Sequence, residues 1–205
     1  MLILPKKKAI FYHVYKVAGS SIRNALLPYG SKTQIYGQYI NHIMTVARLP
    51  KSSNPLLAYH PKLADVKTKM GVSFYNHYRF AFVREPLDWQ KSLYFFMQKK
   101  AHLPGNKRVA DMTFDEYLTW RMEHELRHQT DFLYDDDECL VNDIFHLETI
   151  DEDFKKLTEK LDIETTLPHL NKAGSGKKVE ISDNVLDRFR RLHQVEYERL
   201  GYPLP

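Results

Sequence analysis

Lys16 and the turn at residues 18–21 form the stretch of the chain best suited to chemistry. They join a predicted strand at residues 8–14 to a predicted helix at residues 20–28, and the serines of the turn would cap that helix. Backbone N–H groups converge at such a junction, and the helix dipole and the Lys16 ammonium add positive charge. The pattern predicts an anion site. The alternative is a simple helix cap beside a solvated lysine.

A second strand–helix junction carries an arginine. Residues 79–84 are typical of a buried strand that ends in Arg84, and Pro86 is well placed to open a helix that runs to about Lys100. Ser92 lies within that helix, so its hydroxyl could share an anion with the Arg84 guanidinium. Since α/β sheets bind ligands at the carboxyl ends of their strands, two such positions predict a ligand with two phosphate-like groups.

Composition places the chain among ordinary soluble proteins. Its 205 residues are 43% hydrophobic and 27% charged, which predicts one domain, residues 1–205, with a sizeable core. A net charge of +4 is explained by a local site for an acidic ligand, so no nucleic-acid partner is expected. The single cysteine, Cys139, excludes a disulfide framework. No segment is typical of a signal or a membrane span, and a cytoplasmic location is expected.

The remaining elements alternate between helices and strands. The predicted segments are a helix at Tyr39–Arg48, a strand at Pro55–His60, a helix at Leu63–Met70, an acidic turn at Asp135–Glu138, a strand at 143–147 and a helix capped by Ser182. Two capping boxes open further helices, Thr113 with Glu116 (to about His128) and Thr149 with Glu152. This alternation predicts an α/β fold with a central parallel sheet covered on both faces.

Residues 124–128 have the pattern H-E-x-x-H of zinc proteases, on a predicted helix. His124 and His128 would share a face, and Glu148 is a conceivable third ligand. Against zinc, Arg127 places a cation inside the motif, and the extended continuation with a third histidine is missing. A solvated helix face is the preferred interpretation, and no metal is predicted.

The two junctions together resemble a known family. Residues 13–22 resemble the 5′-phosphosulfate loop of the sulfotransferases, usually written H-x-P-K-T-A-G-T-S. Residues 80–94 resemble their 3′-phosphate motif, F-x-F-V-R-N-P-x-x-R-x-x-S-x-Y. Residues 167–172 resemble the late loop of that family, and residues 200–202 its C-terminal end. The order and spacing also match, so the chain resembles the carbohydrate-type sulfotransferases that use 3′-phosphoadenosine-5′-phosphosulfate (PAPS).

The resemblance implies a single-domain, three-layer fold like that of the P-loop nucleotide kinases, with PAPS as the co-substrate. Lys16 would contact the 5′-phosphosulfate, the turn amides would cradle it, and Arg84 and Ser92 would hold the 3′-phosphate. The residues implied to bind the nucleotide are Lys16, Val17, Ala18, Gly19, Ser20, Ser21, Arg84, Ser92 and Lys172, with Lys177 as a further candidate. The implied reaction moves a sulfuryl group to a hydroxyl, in a carbohydrate or glycolipid acceptor by family analogy.

Four departures from the family pattern bear most on the site. Tyr15 stands in place of the proline and Val17 in place of the first threonine; Glu85 replaces the asparagine and Trp89 the second arginine. Glu85 would disfavour a neighbouring phosphate unless it points away or is paired. Trp89 could stack on adenine, although a place in the core is the preferred interpretation.

The implied reaction needs a base, and histidine suits neutral pH. His60 ends a predicted strand in the region where the family places a histidine, so it is the predicted base, with Lys16 stabilising the leaving group; a loop histidine without a catalytic part is the alternative. His13 is expected to orient the loop.

A non-catalytic protein that binds nucleotides or anionic glycans remains a rival interpretation of the sequence. A P-loop-like kinase is a weaker one, because Lys16 precedes Gly19 rather than following the last glycine of a Walker loop. The oligomeric state stays open.

Overall fold

The computed structural model describes residues 1–103, 105–168 and 178–205. Its strands are β1 (Leu2–Leu4), β2 (Ala9–Tyr12), β3 (Tyr78–Val83), β4 (Tyr134–Asp135), β5 (Glu138–Cys139) and β6 (Asp143–His146). Its α-helices are α1 (Gly19–Leu26), α2 (Lys32–Val46), α3 (Leu63–Met70), α4 (Pro86–Lys99), α5 (Phe114–His124), α6 (Thr130–Leu133), α7 (Ile150–Leu161) and α8 (Asp183–Leu200). Short 3₁₀ helices lie at Pro5–Lys7, Leu27–Tyr29, Pro55–Leu57, Gly71–Phe74, Lys107–Val109 and Leu147–Thr149.

The central sheet is mixed. Its strands follow the order β1-β2-β3-β6; β2, β3 and β6 are parallel, and β1 is antiparallel to β2. The predicted α/β class is confirmed, but a wholly parallel sheet is wrong at this edge. The cause is the connection, because the turn Pro5–Lys7 and the left-handed Lys8 (φ 45°) reverse the chain within a few residues. Only antiparallel neighbours can be joined so tightly, since a parallel pair needs a crossover of a dozen residues or more.

The middle strands supply the core. Every residue of β2 is buried, and β3 is buried from Arg79 to Val83. Phe11 and Phe80 stack across the two strands with ring centroids 5.6 Å apart. Continuous apolar runs are typical of parallel strands covered on both faces, which explains why these two strands were the clearest in the sequence.

The predicted helices differ from the observed ones mainly in where they begin and end. α3 has the predicted bounds, and α2 begins seven residues before Tyr39 because Ser31 caps it by accepting a hydrogen bond from the Gln34 amide. The capping box at Thr113 is confirmed, whereas α5 ends at His124 rather than His128. The capping box at Thr149 is wrong, because its hydroxyl donates to Asp153 instead (2.9 Å).

The predicted strand at Pro55–His60 is also wrong. Pro55–Leu57 forms a 3₁₀ turn, which Asn54 caps by accepting a hydrogen bond from the Leu56 amide (3.1 Å). The apolar residues suggested a buried strand, but the backbone groups of this stretch pair within the turn and with side chains rather than with a neighbouring strand.

Contacts divide the described residues into two compact units. The first comprises Met1–Val83 and residues 131–168, and it contains the whole central sheet. The second comprises Arg84–Thr130 and residues 178–205, and within it α5 packs against α4 and α8. Trp89 is fully buried, in agreement with its preferred place in the core. The single-domain organisation and the P-loop-like layering stay predictions. Among the described helices, none has the length and apolarity to cross a membrane.

Candidate functional site

The loop between β2 and α1 is held in an unusual backbone conformation. Lys16 and Ala18 both have positive φ angles (67° and 54°), which non-glycine residues rarely adopt. Ala18, not a serine, occupies the N-cap, and no side chain caps α1. The predicted serine cap is therefore wrong, since Ser20 and Ser21 lie inside the first turn. Of the amides that open the helix, that of Ser21 donates to the Ala18 carbonyl (2.9 Å). Those of Gly19 and Ser20 have no side-chain acceptor among the described residues, which favours an anion at this position.

The buried ring of His13 packs directly against Gly19. His13 is 8% exposed, and its ring lies so close to the start of α1 that a Cβ on Gly19 would be 1.8 Å from its Nε2. Burial lowers the pKa of His13 to about 2, so this ring is neutral at physiological pH. The small residue in the loop is thus required by a buried histidine at the end of β2, in keeping with an orienting role for His13.

Gly19→Ala is expected to destabilise the protein by about 1–3 kcal/mol, because the added methyl group meets a ring that is packed and cannot swing into solvent. For a chain of this size that corresponds to a fall in Tm of roughly 2–12 °C, measured by thermal unfolding. Ser20→Ala is the matched control, since Ser20 is the exposed next residue and its Tm should stay within about 2 °C. An unchanged Tm for Gly19→Ala would contradict the packing described here.

His60 lies beside this loop. Its Nδ1 is 2.8 Å from the carbonyl oxygen of His13, the residue that follows β2. A carbonyl can only accept, so Nδ1 carries the proton and, in the neutral ring, Nε2 carries the lone pair. The residue as a whole is exposed, yet its ring packs edge-on against His13 (centroids 4.6 Å apart), and this partial burial lowers the pKa of His60. The geometry presents a neutral imidazole with Nε2 as its basic atom.

Side chains and termini hold the segment that carries His60. Gln38 donates to the carbonyl oxygen of Ala58 (3.2 Å), and the Met1 amino group donates to that of Tyr59 (2.5 Å). The hydroxyl of Tyr12, the last residue of β2, donates to the carbonyl oxygen of Pro61. Three carbonyls on either side of His60 are thereby hydrogen-bonded to the rest of the first unit, which fixes His60 without a strand.

Arg23 adds positive charge to α1, the helix that follows the loop. It is 9% exposed, its guanidinium donates to Gln38 (2.6 Å), and it lies over the Tyr59 ring at 5.5 Å. In the described part of the chain no carboxylate pairs with it. Arg23 and the fully buried Gln38 were missed in the sequence, where each is simply a polar residue on a helix.

Tyr15 has a local explanation for its departure from the family pattern. Its ring meets the ring of His60 edge-on at 6.1 Å and that of Phe132 at 5.5 Å. Val17 is fully buried, so the position that the family gives to a threonine holds an apolar side chain here. The first unit therefore brings His60 against Tyr15, the neighbour of Lys16.

Arg84 and Ser92 lie in the second unit. Gln129 clamps the Arg84 backbone: its Oε1 accepts from the Arg84 amide (2.9 Å), and its Nε2 donates to the Arg84 carbonyl (2.7 Å). Gln129 is fully buried, and nothing in the sequence marked it. The Arg84 side chain is half-buried and Ser92 lies midway along α4.

Glu85 is paired, as an anion site in its vicinity would require. Its carboxylate caps α4 by accepting from the amides of Leu87 (3.1 Å) and Asp88 (2.6 Å), and the Tyr197 hydroxyl also donates to it. These hydrogen bonds stabilise the negative charge at the positive end of the helix. The late-loop residues Lys172 and Lys177 lie outside the described residues.

The H-E-x-x-H pattern does not form a helical face. α5 ends at His124, whose Nδ1 donates to the Trp120 carbonyl (3.2 Å), and Glu125 forms an ion pair with Arg121 (3.0 Å). His128 lies beyond the helix, so the i, i+4 spacing that the zinc-protease interpretation requires is lost.

Comparison with protein families gives a match over nearly the whole chain. The model described as "Sulfotransferase family" matches residues 1–203. Curated proteins and solved structures give no match. Since the matched region spans nearly the whole chain and includes both strand–helix junctions, the chain belongs to the sulfotransferase family.

Proposed function

We propose that this chain transfers a sulfuryl group from PAPS to a hydroxyl group of a carbohydrate or glycolipid. Membership of the family supports transfer chemistry, and the state of His60 is the observation that carries the proposal. The ring donates a hydrogen bond from Nδ1 to the carbonyl of His13, so its lone pair is on Nε2. A general base needs such a lone pair to accept the proton of a hydroxyl group.

The loop suits the 5′ end of the donor. The uncapped amides at the start of α1, the Lys16 ammonium and the buried Arg23 guanidinium supply positive charge to a phosphosulfate. Arg84 and Ser92 are proposed to bind the 3′-phosphate, the former with a backbone fixed by Gln129. Lys172 is proposed as a further contact on the basis of the family resemblance.

The proposed step is an in-line displacement at sulfur. The acceptor oxygen forms a new S–O bond while its proton passes to Nε2 of His60. The S–O bond to the 5′-phosphate breaks, and 3′-phosphoadenosine-5′-phosphate leaves with the electron pair of that bond. Lys16 is proposed to stabilise the negative charge on this bridging oxygen, which is greater in the transition state than in bound PAPS. Catalysis would rest on positioning and charge, as in phosphoryl transfer.

The pH dependence should follow His60. Because its pKa is lowered from 6.5, the neutral base is the major form at pH 7, and kcat/KM should fall only as the pH drops below 6.5. The titratable groups around the ring are His13, Tyr15 and the Met1 amino group, and His13 is neutral in this range. A pH–rate profile with a reference acceptor tests this. An acid limb with its midpoint well above 6.5 would count against His60.

The deciding experiment compares nucleotides by calorimetry and then tests turnover. 3′-Phosphoadenosine-5′-phosphate should bind more tightly than ATP, because only the former presents a 3′-phosphate to Arg84 and Ser92. Transfer from PAPS is then measured on a panel of sugars and glycolipids. Tighter binding of ATP would defeat the proposal, and nucleotide binding without transfer to any hydroxyl acceptor would favour the non-catalytic rival.

A further inference from the structure

Two histidines and a glutamate converge in the second unit, whereas the loop described above belongs to the first. His128 follows α5, and His193 and Glu196 lie three residues apart on α8, which places them on one face of that helix. One ligand atom from each lies within 4.8 Å of the others. His193 is 1% exposed and Glu196 2% exposed, while His128 is half-buried.

The hydrogen bonds orient the two rings as a metal site requires. His193 donates from Nδ1 to the Phe189 carbonyl (3.0 Å), and His128 donates from Nε2 to the Leu192 carbonyl (3.2 Å). Since carbonyls only accept, the lone pairs of the neutral rings are on Nε2 of His193 and Nδ1 of His128. Metal-binding histidines typically donate their second nitrogen to a backbone carbonyl in this way.

The carboxylate is oriented in the same manner. Glu196 accepts a hydrogen bond from the backbone amide of Gln129 on Oε1 (2.6 Å), and Oε2 is the proposed ligand atom. Zn²⁺ would place a cation next to this buried carboxylate, which favours its charged form. Two imidazole nitrogens with one carboxylate oxygen is a ligand set that zinc accepts, with water in the fourth position.

We propose that His128, His193 and Glu196 bind Zn²⁺. The site is distinct from the H-E-x-x-H pattern, of which it uses only His128, and it does not depend on the proposed sulfuryl transfer. Its role is structural. The metal joins the segment after α5 to α8 and fixes Gln129, the residue that clamps the Arg84 backbone. The alternative to Zn²⁺ is a proton on one of the two histidines, which would make that imidazole a cation beside Glu196.

Calorimetric titration of the chelator-treated full chain with Zn²⁺ tests the proposal. We expect one equivalent to bind, and Zn²⁺ at 100 times its Kd to raise Tm by roughly 5–11 °C. His128→Ala and the isosteric Glu196→Gln should each weaken binding by at least about 100-fold. His124→Ala is the matched control and should bind like the parent, because His124 belongs to the sequence pattern but not to the cluster.

Three results would overturn the site. They are no binding at millimolar Zn²⁺, unchanged binding by His128→Ala, and loss of binding in His124→Ala. If both ligand variants fail to fold, the spectrum of the parent chain with Co²⁺ decides. Intense visible bands of tetrahedral Co²⁺ support the proposed ligand set, whereas a weak octahedral spectrum contradicts it.

Discussion

Lys16→Met is expected to lower kcat/KM for sulfuryl transfer by about 10²–10³-fold, the usual effect of removing one preorganised positive group from a transition state. Methionine keeps the length of the side chain and removes the charge. The backbone at position 16 has a positive φ in either case, so the change should affect charge rather than loop conformation. The loss should appear chiefly in kcat, since the charge on the bridging oxygen develops as the bond breaks.

Lys8→Met is the matched control for this prediction. Lys8 is also a lysine with a positive φ (45°), but it is exposed and precedes β2, whereas Lys16 follows that strand. Initial rates measured across PAPS concentrations give kcat and KM. The affinity for 3′-phosphoadenosine-5′-phosphate is measured separately. Equal losses in the two variants would show a general effect of net charge and remove Lys16 from its proposed role.

His60→Gln is expected to lower kcat by about 10²–10⁴-fold, the range for loss of a general base. Glutamine can still donate to the His13 carbonyl, so the segment at residues 58–61 should keep its place. Affinity for 3′-phosphoadenosine-5′-phosphate should change little, because the proposed base acts on the acceptor. The acid limb of the pH profile should also disappear.

His77→Gln is the corresponding control. His77 likewise donates from Nδ1 to a backbone carbonyl, that of Ser73 at 2.7 Å, but it precedes β3 and so lies at the amino end of that strand. Its kcat should equal that of the parent. If His60→Gln retained normal kcat and lost nucleotide affinity instead, His60 would be a binding residue and the base would lie elsewhere.

The periodic elements could be predicted because their signals are local. The apolar runs at β2 and β3, the bounds of α3 and the Thr113 capping box all depend on neighbours in the sequence. The errors have two causes, a competing local hydrogen bond in one case and partners distant in the sequence in the other. The Thr149 hydroxyl donates to Asp153 one turn later instead of capping the helix. In the apolar stretch at Pro55–His60, the carbonyls of Leu56, Ala58 and Tyr59 accept from Gln34, Gln38 and the Met1 amino group, which lie far away in the sequence.

For the candidate site, residue identities alone specify the family motifs, the lysine-bearing loop after β2 and the presence of a histidine at position 60. These follow from residue identity and short spacing, which a sequence states directly. The tertiary structure alone decided the tautomer of His60, the contact that makes Gly19 necessary, and the meeting of His128 with His193 and Glu196. Each of these depends on atoms brought within a few ångströms by folding, from residues six to sixty-eight positions apart, and no local pattern encodes such contacts.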